Sequence, residues 1–399
     1  MSKLKALDEN LKLIDKRVIV RVDLNVPISN GKIIDISRIK KIVPVIKELI
    51  NKKAKIILIS HLGRPKGNKD ENLSLSLMIP SLKELLETKV HFSDESYGEN
   101  VIEKSKQINS GEVLLLENIR FNKEEELNDK FFAINLSKNG DIYINEAFSC
   151  SHRSHASVCE ITNHIDSYAG KLLLEEVSAI KMLTNDATKP ITCIIGGSKV
   201  STKIGVLNNL IKKMQTIVIV GAMANNFIKY KGYNIGKSLF EDNQKKLLGT
   251  IINRCKQNDC KLVIPEDVIV AKDLNSKGEL KTLKEIGEED LILDIGEKTV
   301  KSILKVIDKS KTVLWNGPAG FFEVKEFSNG SKKIAQKICK NTQNKSLISV
   351  AGGGDTVAAI NSFKCSEGFT YISTAGGAFL ELLEGKVLPG IKALENNKL

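Results

Sequence analysis

Short, almost uninterrupted apolar runs rich in β-branched residues recur along the whole chain. In the first half they are Val18–Val22, Ile56–Ile59, Val113–Leu116 and Ile142–Ile144. In the second half they are Ile191–Ile195, Ile217–Val220, Leu262–Ile264, Ile292–Ile295, Val313–Trp315, Leu347–Val350 and Thr370–Ser373. Continuous rather than alternating apolar character suits strands covered on both faces, as in parallel sheets. Between them lie stretches of helical period such as Ile39–Ile50 and Val200–Lys212. Strand–helix alternation predicts an α/β fold with mainly parallel sheets. About a dozen strands is more than one twisted sheet usually holds. The pattern therefore predicts two doubly wound, Rossmann-like sheets joined by a helix. The boundary is expected near Ala169–Lys181, giving domains over 1–170 and 171–384.

Ligands of open α/β sheets bind beyond the carboxyl ends of the strands. In the first half those ends run into Asp23-Leu24-Asn25, Ser60-His61-Leu62-Gly63-Arg64, Glu117-Asn118-Ile119-Arg120 and Asn145-Glu146. In the second half they run into Gly196-Gly197-Ser198-Lys199, Gly221-Ala222-Met223, Gly296, Asn316-Gly317-Pro318, Gly352-Gly353-Gly354-Asp355-Thr356 and Thr374-Ala375-Gly376-Gly377. One half presents cationic side chains; the other presents bare backbone.

Charge sharpens this contrast. The 399 residues carry a formal net charge of +12, with 60 basic residues of which only seven are arginine. Residues 1–170 hold 26 basic and 24 acidic residues, yet six of the seven arginines lie there. Where lysine serves for generic charge, an arginine suggests a need for its planar, bidentate fork, which matches phosphate and carboxylate. Arg64 and Arg120 sit at strand ends, Arg38 follows the Gly31 turn, and Arg153 lies between His152 and His155. These four predict an anion site, whereas Arg17 and Arg254 read as surface residues. The seven cysteines are odd in number and scattered, which argues against a disulfide framework. With no signal-like N-terminus and no apolar run of ~18 residues, a cytoplasmic protein that crosses no membrane is expected. Cys150, His152, His155 and Cys159 have a spacing that four zinc ligands could use, but they read better as a loop after a strand.

Glycine loops ahead of helices let backbone N–H groups approach phosphates. Standard nucleotide motifs fail, however. Gly232 to Ser238 is one residue short of P-loop spacing, and Gly352 to Val357 lacks the third glycine of a dinucleotide fingerprint. Asp355, directly after three glycines, could hold a phosphate-bound Mg²⁺. Lys199 and Lys203, four apart, are expected to share one helix face near its N-terminus.

Six segments, in this order, resemble the phosphoglycerate kinase family: Lys16–Pro27 (KRVIVRVDLNVP), Ser60–Gly67 (SHLGRPKG), Gly196–Gly205 (GGSKVSTKIG), Thr312–Glu323 (TVLWNGPAGFFE), Gly352–Thr356 (GGGDT) and Leu380–Leu394 (LELLEGKVLPGIKAL). The resemblance implies reversible phosphoryl transfer from 1,3-bisphosphoglycerate to ADP, giving 3-phosphoglycerate and ATP. It implies that Asp23, Leu24, Asn25, Arg38, His61, Leu62, Gly63, Arg64, Arg120 and Arg153 contact the acidic substrate. Lys199, Lys203, Gly296, Asn316, Pro318, Glu323, Gly353, Gly354, Asp355 and Thr356 would contact Mg²⁺-bound nucleotide, with Asp355 on the metal. Arg38, Lys199 and amides near Gly354, Gly376 and Gly377 would stabilise the phosphoryl group in flight. Residues 385–399 would pack back on the first domain. Closure about Lys171–Lys181 and Ser373-Thr374 would bring the two ligands together. A monomer is expected.

Five positions depart from the family's pattern: Glu146 for Asp, Ser149, Ala222 and Ala375 for Gly, and Glu297 for Pro. Ala375 and Glu146 motivate a second reading, a catalytically dead relative. A third, a nucleic-acid-binding protein, follows from the charge. Against it, the lysines are dispersed, Trp315 is the only tryptophan, and no aromatic–basic interleaving suggests a stacking platform. No specific nucleic-acid partner is expected.

Overall fold

The computed structural model describes residues 4–8, 11–184 and 187–397. The chain divides into two units. One runs as far as Val177 and takes in the chain again from Val387; the other is Ser178–Lys386.

The first unit is built on β1 (Arg17–Arg21), a short antiparallel pair β2 (Ile28–Ser29) and β3 (Lys32–Ile33), β4 (Lys55–Ile59), β5 (Val90–Ser93), β6 (Val113–Leu116), β7 (Ile142–Asn145) and β8 (Ser167–Ala169). Its main sheet has the order β5-β6-β4-β1-β7-β8 and every pairing is parallel. Val18, Ile19 and Val20 in β1 are all fully buried, so both faces of the strand are covered. That is why the run is apolar without alternation. Helix Ser37–Asn51 lays Ile39, Ile42, Val45, Ile46 and Leu49 on the sheet, at the three-and-four spacing of one helical face. The chain builds outward on one side of β1 and then crosses to β7 on the other. The loops after β1, β4, β6 and β7 therefore converge at a topological switch point.

The second unit repeats the plan with β9 (Ile191–Ile195), β10 (Thr216–Ile219), β11 (Lys261–Val263), β12 (Asp267–Ala271), β13 (Glu279–Thr282), β14 (Leu291–Ile295), β15 (Thr312–Asn316), β16 (Ile348–Gly352) and β17 (Tyr371–Ser373). Its main sheet, β11-β10-β9-β15-β16-β17, is also wholly parallel. Trp315 is fully buried in β15, where its indole N–H donates to the Gly317 carbonyl at 2.8 Å. The switch here lies between β9 and β15, so the loops after these strands and after β10 and β16 meet.

Two expectations need correction. The run Ile292–Ile295 does not belong to the parallel sheet. It lies within β14, which pairs antiparallel with β12 in a separate three-stranded sheet of order β13-β12-β14. Its first three residues are only half-buried. The stretch Val200–Lys212 is not one helix either: a 3₁₀ turn at Ser201–Lys203 precedes an α-helix over Ile204–Leu210. Lys199 consequently lies outside the helix, and the two lysines do not share a regular helical face.

Candidate active site

In the first unit, the loops after β1, β4 and β6 are tied to one another by side chains that cap backbone groups. Ser60 Oγ accepts from the Leu24 amide at 2.9 Å, and Asn25 Oδ1 accepts from the Gly63 amide at 2.8 Å. Asn118 Oδ1 accepts from the Leu62 and Arg120 amides, while its Nδ2 donates to the Leu62 carbonyl. Gly63 needs its positive φ of 63° for this turn. Arg120 reaches across to donate to the Gly63 carbonyl at 2.8 Å. Arg38, from the first turn of helix Ser37–Asn51, forms an ion pair with Asp23 at 2.6 Å. Asp23 also accepts from Ser149 Oγ at 2.5 Å. Thus Ser149 buttresses the carboxylate that aims Arg38.

His61 is almost fully buried, and burial with Arg21, Arg120, Arg153 and His155 around it holds it well below the usual imidazole range. It is neutral at physiological pH. Its Nδ1 faces Arg21 Nη2 at 3.0 Å. Arginine can only donate, so Nδ1 accepts and Nε2 carries the proton. Arg153 donates from Nε to His152, and Arg64 lies exposed on the same loop as His61. The structure thus gathers Asp23, Leu24, Asn25, Arg38, His61, Leu62, Gly63, Arg120 and Arg153, with Arg64 beside them. Cys150, Cys159 and His155 take separate partners: the Arg21 guanidinium, the Arg153 carbonyl and Glu125. Among the described residues no group of three or more metal-ligating side chains forms.

Arg21 has no place among the arginines expected at this site, yet it underlies it. It is buried with its Nε donating to Ser157 Oγ at 3.1 Å, and Ser157 passes its own amide and hydroxyl to buried Glu125. Arginine inside an otherwise apolar strand of a lysine-biased chain was the available signal.

In the second unit, the glycine loops pack backbone against backbone. A methyl at Gly196 would fall 2.6 Å from the Pro318 carbonyl oxygen, and one at Gly221 would fall 2.9 Å from it. Lys203 hydrogen-bonds Asn316 Oδ1, and burial lowers its affinity for the proton. Asn316 Nδ2 in turn donates to the Gly352 carbonyl at 2.5 Å. Thr356 Oγ1 accepts from the Gly317 amide at 2.7 Å. Gly353, with φ of 98°, caps helix Gly354–Ser362, and a methyl at Gly354 would touch nothing within 4 Å. Asp355 stands exposed in that helix's first turn, and Lys199 is exposed just after the loop Gly196-Gly197-Ser198. Gly376, at φ of 56°, opens helix Gly377–Leu383, whose Phe379 packs on Gly352 beside the same loops.

A cavity of about 550 Å³ adjoins these loops. Its wall includes Gly197, Ala222, Ile228, Leu239, Pro318 and Phe321, with Glu323 and Asp355 at its polar side. Gly296 is not part of that wall. It caps helix Glu297–Lys309 against Asp267, whose carboxylate would lie 2.4 Å from a methyl there. The departures sit quietly. Ala222 has right-handed φ and ψ of −62° and −27°. Ala375 is buried, outside the positive-φ set, so it is the neighbouring Gly376 that requires glycine. Glu297 places a carboxylate at a helix N-terminus, where the macrodipole favours it. Glu146 reaches the Lys171 and Leu172 amides at 2.9 and 2.8 Å, capping helix Lys171–Thr184.

Two doubly wound units, one ending in arginines and the other in glycine loops beside an apolar cavity, define a two-domain α/β phosphotransferase. The comparisons specify which. A sequence model of the family described as phosphoglycerate kinase matches residues 8–386. The chain is 43% identical over 396 residues to the phosphoglycerate kinase of Sinorhizobium fredii, covering 99% of each chain. It is 46% identical over 381 residues to that of Wolbachia pipientis subsp. Culex pipiens, covering 95% of this chain and 96% of the other. The solved phosphoglycerate kinase of Coxiella burnetii superposes with a TM-score of 0.89 at 37% identity, covering 98% of this chain and 99% of that one. This chain belongs to the phosphoglycerate kinase family.

Proposed function

We propose that this chain transfers the acyl phosphate of 1,3-bisphosphoglycerate to ADP, giving 3-phosphoglycerate and ATP, and runs the reaction in reverse. The observation that carries the reading is the cluster of Arg38, Arg120, Arg153 and a neutral Nε2–H His61 at one switch point. It is a site for a small acid with several negative charges. Arg38 is set by Asp23, His61 by Arg21, and Arg120 by the Gly63 carbonyl. Each donor is therefore directed before the substrate arrives, which lowers the ordering cost of binding.

The second unit takes the nucleotide. Its cavity suits a nucleobase, and Lys199, Lys203, Asn316 and the amides after Gly353 suit the phosphates. Pro318, Glu323 and Thr356 frame the path between base and phosphates. One exposed carboxylate fits Mg²⁺, which favours one or two carboxylates with phosphate oxygens and water; Asp355 would hold it. When bound, the ion neutralises phosphate charge. In the acyl transfer the carboxylate is already ionised at neutral pH, so no general base is required. What the chain supplies is alignment and charge neutralisation from Arg38, Lys199 and the amides at Gly354, Gly376 and Gly377. Closure of the two units excludes water from the transfer. A coupled assay tests the whole reading: ATP should form from 1,3-bisphosphoglycerate only when ADP and Mg²⁺ are present. Absence of turnover in the purified, folded chain would overturn it in favour of a dead relative.

A further inference from the structure

Helix Lys245–Gln257 ends in a Schellman turn. Asp259 takes the left-handed conformation at φ of 51°, the Cys260 amide donates to the Cys255 carbonyl at 2.9 Å, and the Asp259 amide donates to that of Lys256. This motif brings the side chain three residues before the cap against the one two residues after it, normally as a small apolar contact. Here both positions are cysteine. Both side chains are buried, and the motif sets their thiols against each other. The Cys260 amide bond to the Cys255 carbonyl draws the two residues side by side, the approach that a disulfide needs, with α-carbons roughly 4.4–6.8 Å apart.

Both thiols line a cavity of about 270 Å³ whose other walls are Phe227, Ile252, Leu262 and Ile264, with exposed Lys231 and Lys256 at its rim. Nothing in phosphoryl transfer uses this pocket. We propose that Cys255 and Cys260 form a thiol–disulfide exchange site, oxidised to an intrachain disulfide by small, carboxylate-bearing disulfides. The Cys255 thiolate attacks one sulfur of the incoming disulfide and expels the other half as a thiolate, leaving a mixed disulfide. The Cys260 thiolate, formed by losing its proton to solvent, then attacks the Cys255 sulfur and expels the second half. One disulfide and two protein thiols thereby become one protein disulfide and two small thiols. The neighbouring Cys260 thiol favours ionisation of Cys255, which marks Cys255 as the attacking residue. Two lysines at the rim favour a partner that carries carboxylates.

The other neighbouring pair is a built-in control. Cys365 lies beside Cys339, whose sulfur packs against Gly368 although Cys339 is only half-buried, so reaction there first would show that exposure rather than the Cys255–Cys260 pairing decides. The test treats the reduced full chain with oxidised glutathione and follows intact mass and peptide maps. The wild-type chain should lose two hydrogens, with Cys255 joined to Cys260. Cys260→Ser should trap one glutathione on Cys255, and Cys255→Ser should give neither product at these positions. Circular dichroism checks that each variant folds, with Cys→Ala replacements in reserve. Oxidised glutathione should react about tenfold faster than the cationic disulfide cystamine, in line with steering by the rim charges. First reaction at Cys339 or Cys365, or a trapped adduct on Cys260 rather than Cys255, would overturn the proposal. Equal rates for the two disulfides would overturn the assignment of an anionic partner.

Discussion

Replacing Arg21 by methionine removes a guanidinium that makes no contact with solvent yet fixes two neighbours at once. Its Nη2 supplies His61 Nδ1, and its Nε reaches Glu125 through Ser157. Without it, a fully buried carboxylate loses its compensating charge, and the imidazole is free to change tautomer. Breaking a buried pair by removing one partner costs about 3–5 kcal/mol. Because Glu125 is reached through a hydroxyl, the lower end, about 3 kcal/mol, is expected. For a unit of this size that corresponds to a fall in Tm of roughly 6–12 °C. The loss should depend on pH. Burial already pushes Glu125 above the usual carboxylate range while Arg21 opposes the shift. With Arg21 gone the folded value rises further. A carboxyl raised in the folded state adds stability below its ordinary value and loses it as pH rises through the folded one. Arg21→Met should thus be hurt more at pH 8 than at pH 5. Adding Glu125→Gln should recover most of the stability but leave KM for 3-phosphoglycerate raised, since His61 stays unpinned. Thermal melts at the two pH values and steady-state kinetics check both parts. An unchanged Tm, or equal losses at pH 5 and pH 8, would refute the reasoning.

Four further outcomes are expected. Arg38→Ala should remove most of kcat with little change in Tm, because the side chain is partly exposed and Asp23 keeps Ser149 and the Asn25 amide as donors; turnover like wild type would exclude the assigned role. Glu146 is pushed up to about 7 by burial, so its contribution is full below about pH 4.5 and is lost as pH climbs through 7. The span is worth at most ~3 kcal/mol, and Glu146→Gln should flatten urea midpoints measured between pH 5 and pH 8. Asp355→Asn should raise the Mg²⁺ concentration needed for half-maximal rate at least tenfold without altering the melt, as the side chain is exposed. Gly376→Ala should cost about 1–3 kcal/mol, since φ of 56° with ψ of −108° is a conformation that L residues rarely adopt, and should depress kcat, whereas Ala375→Gly should leave kcat within a factor of two.

Much of this architecture is written in the apolar runs, because strands covered on both faces admit little else. The elements that escape are those without that constraint. Strand β8, Ser-Tyr-Ala, is an edge of three residues, and β13 is mostly exposed, so neither carries an apolar signature. Leu291–Ile295 carries one but spends it in a three-stranded antiparallel sheet, half-covered. The candidate site divides in the same way. Arg38, Arg120 and Arg153 stand out because a lysine-rich chain keeps arginine at a helix start, a strand end and a loop that all lie on one side of the sheet. Arg21 hides because it looks like part of a core strand and acts only through His61 and Glu125. Gly296 is less legible, because glycine after a strand also serves close packing, and here it lies against Asp267.

The residues from Val387 onward bear on how the first unit is made. The Gly390 amide donates to the Ser151 carbonyl at 2.9 Å, and a methyl at Gly390 would strike Ser151 and Val158. Asn397 Nδ2 donates to the Thr162 carbonyl at 2.6 Å, across 235 positions of sequence. These contacts brace the loop that carries His152 and Arg153. Chains emerge from the ribosome from the N-terminus at about 5–20 residues per second. The first unit therefore waits, with that face uncovered, while the second unit, Ser178–Lys386, is synthesised. The loop that carries His152 and Arg153 gains this brace only once the residues from Val387 onward have been made.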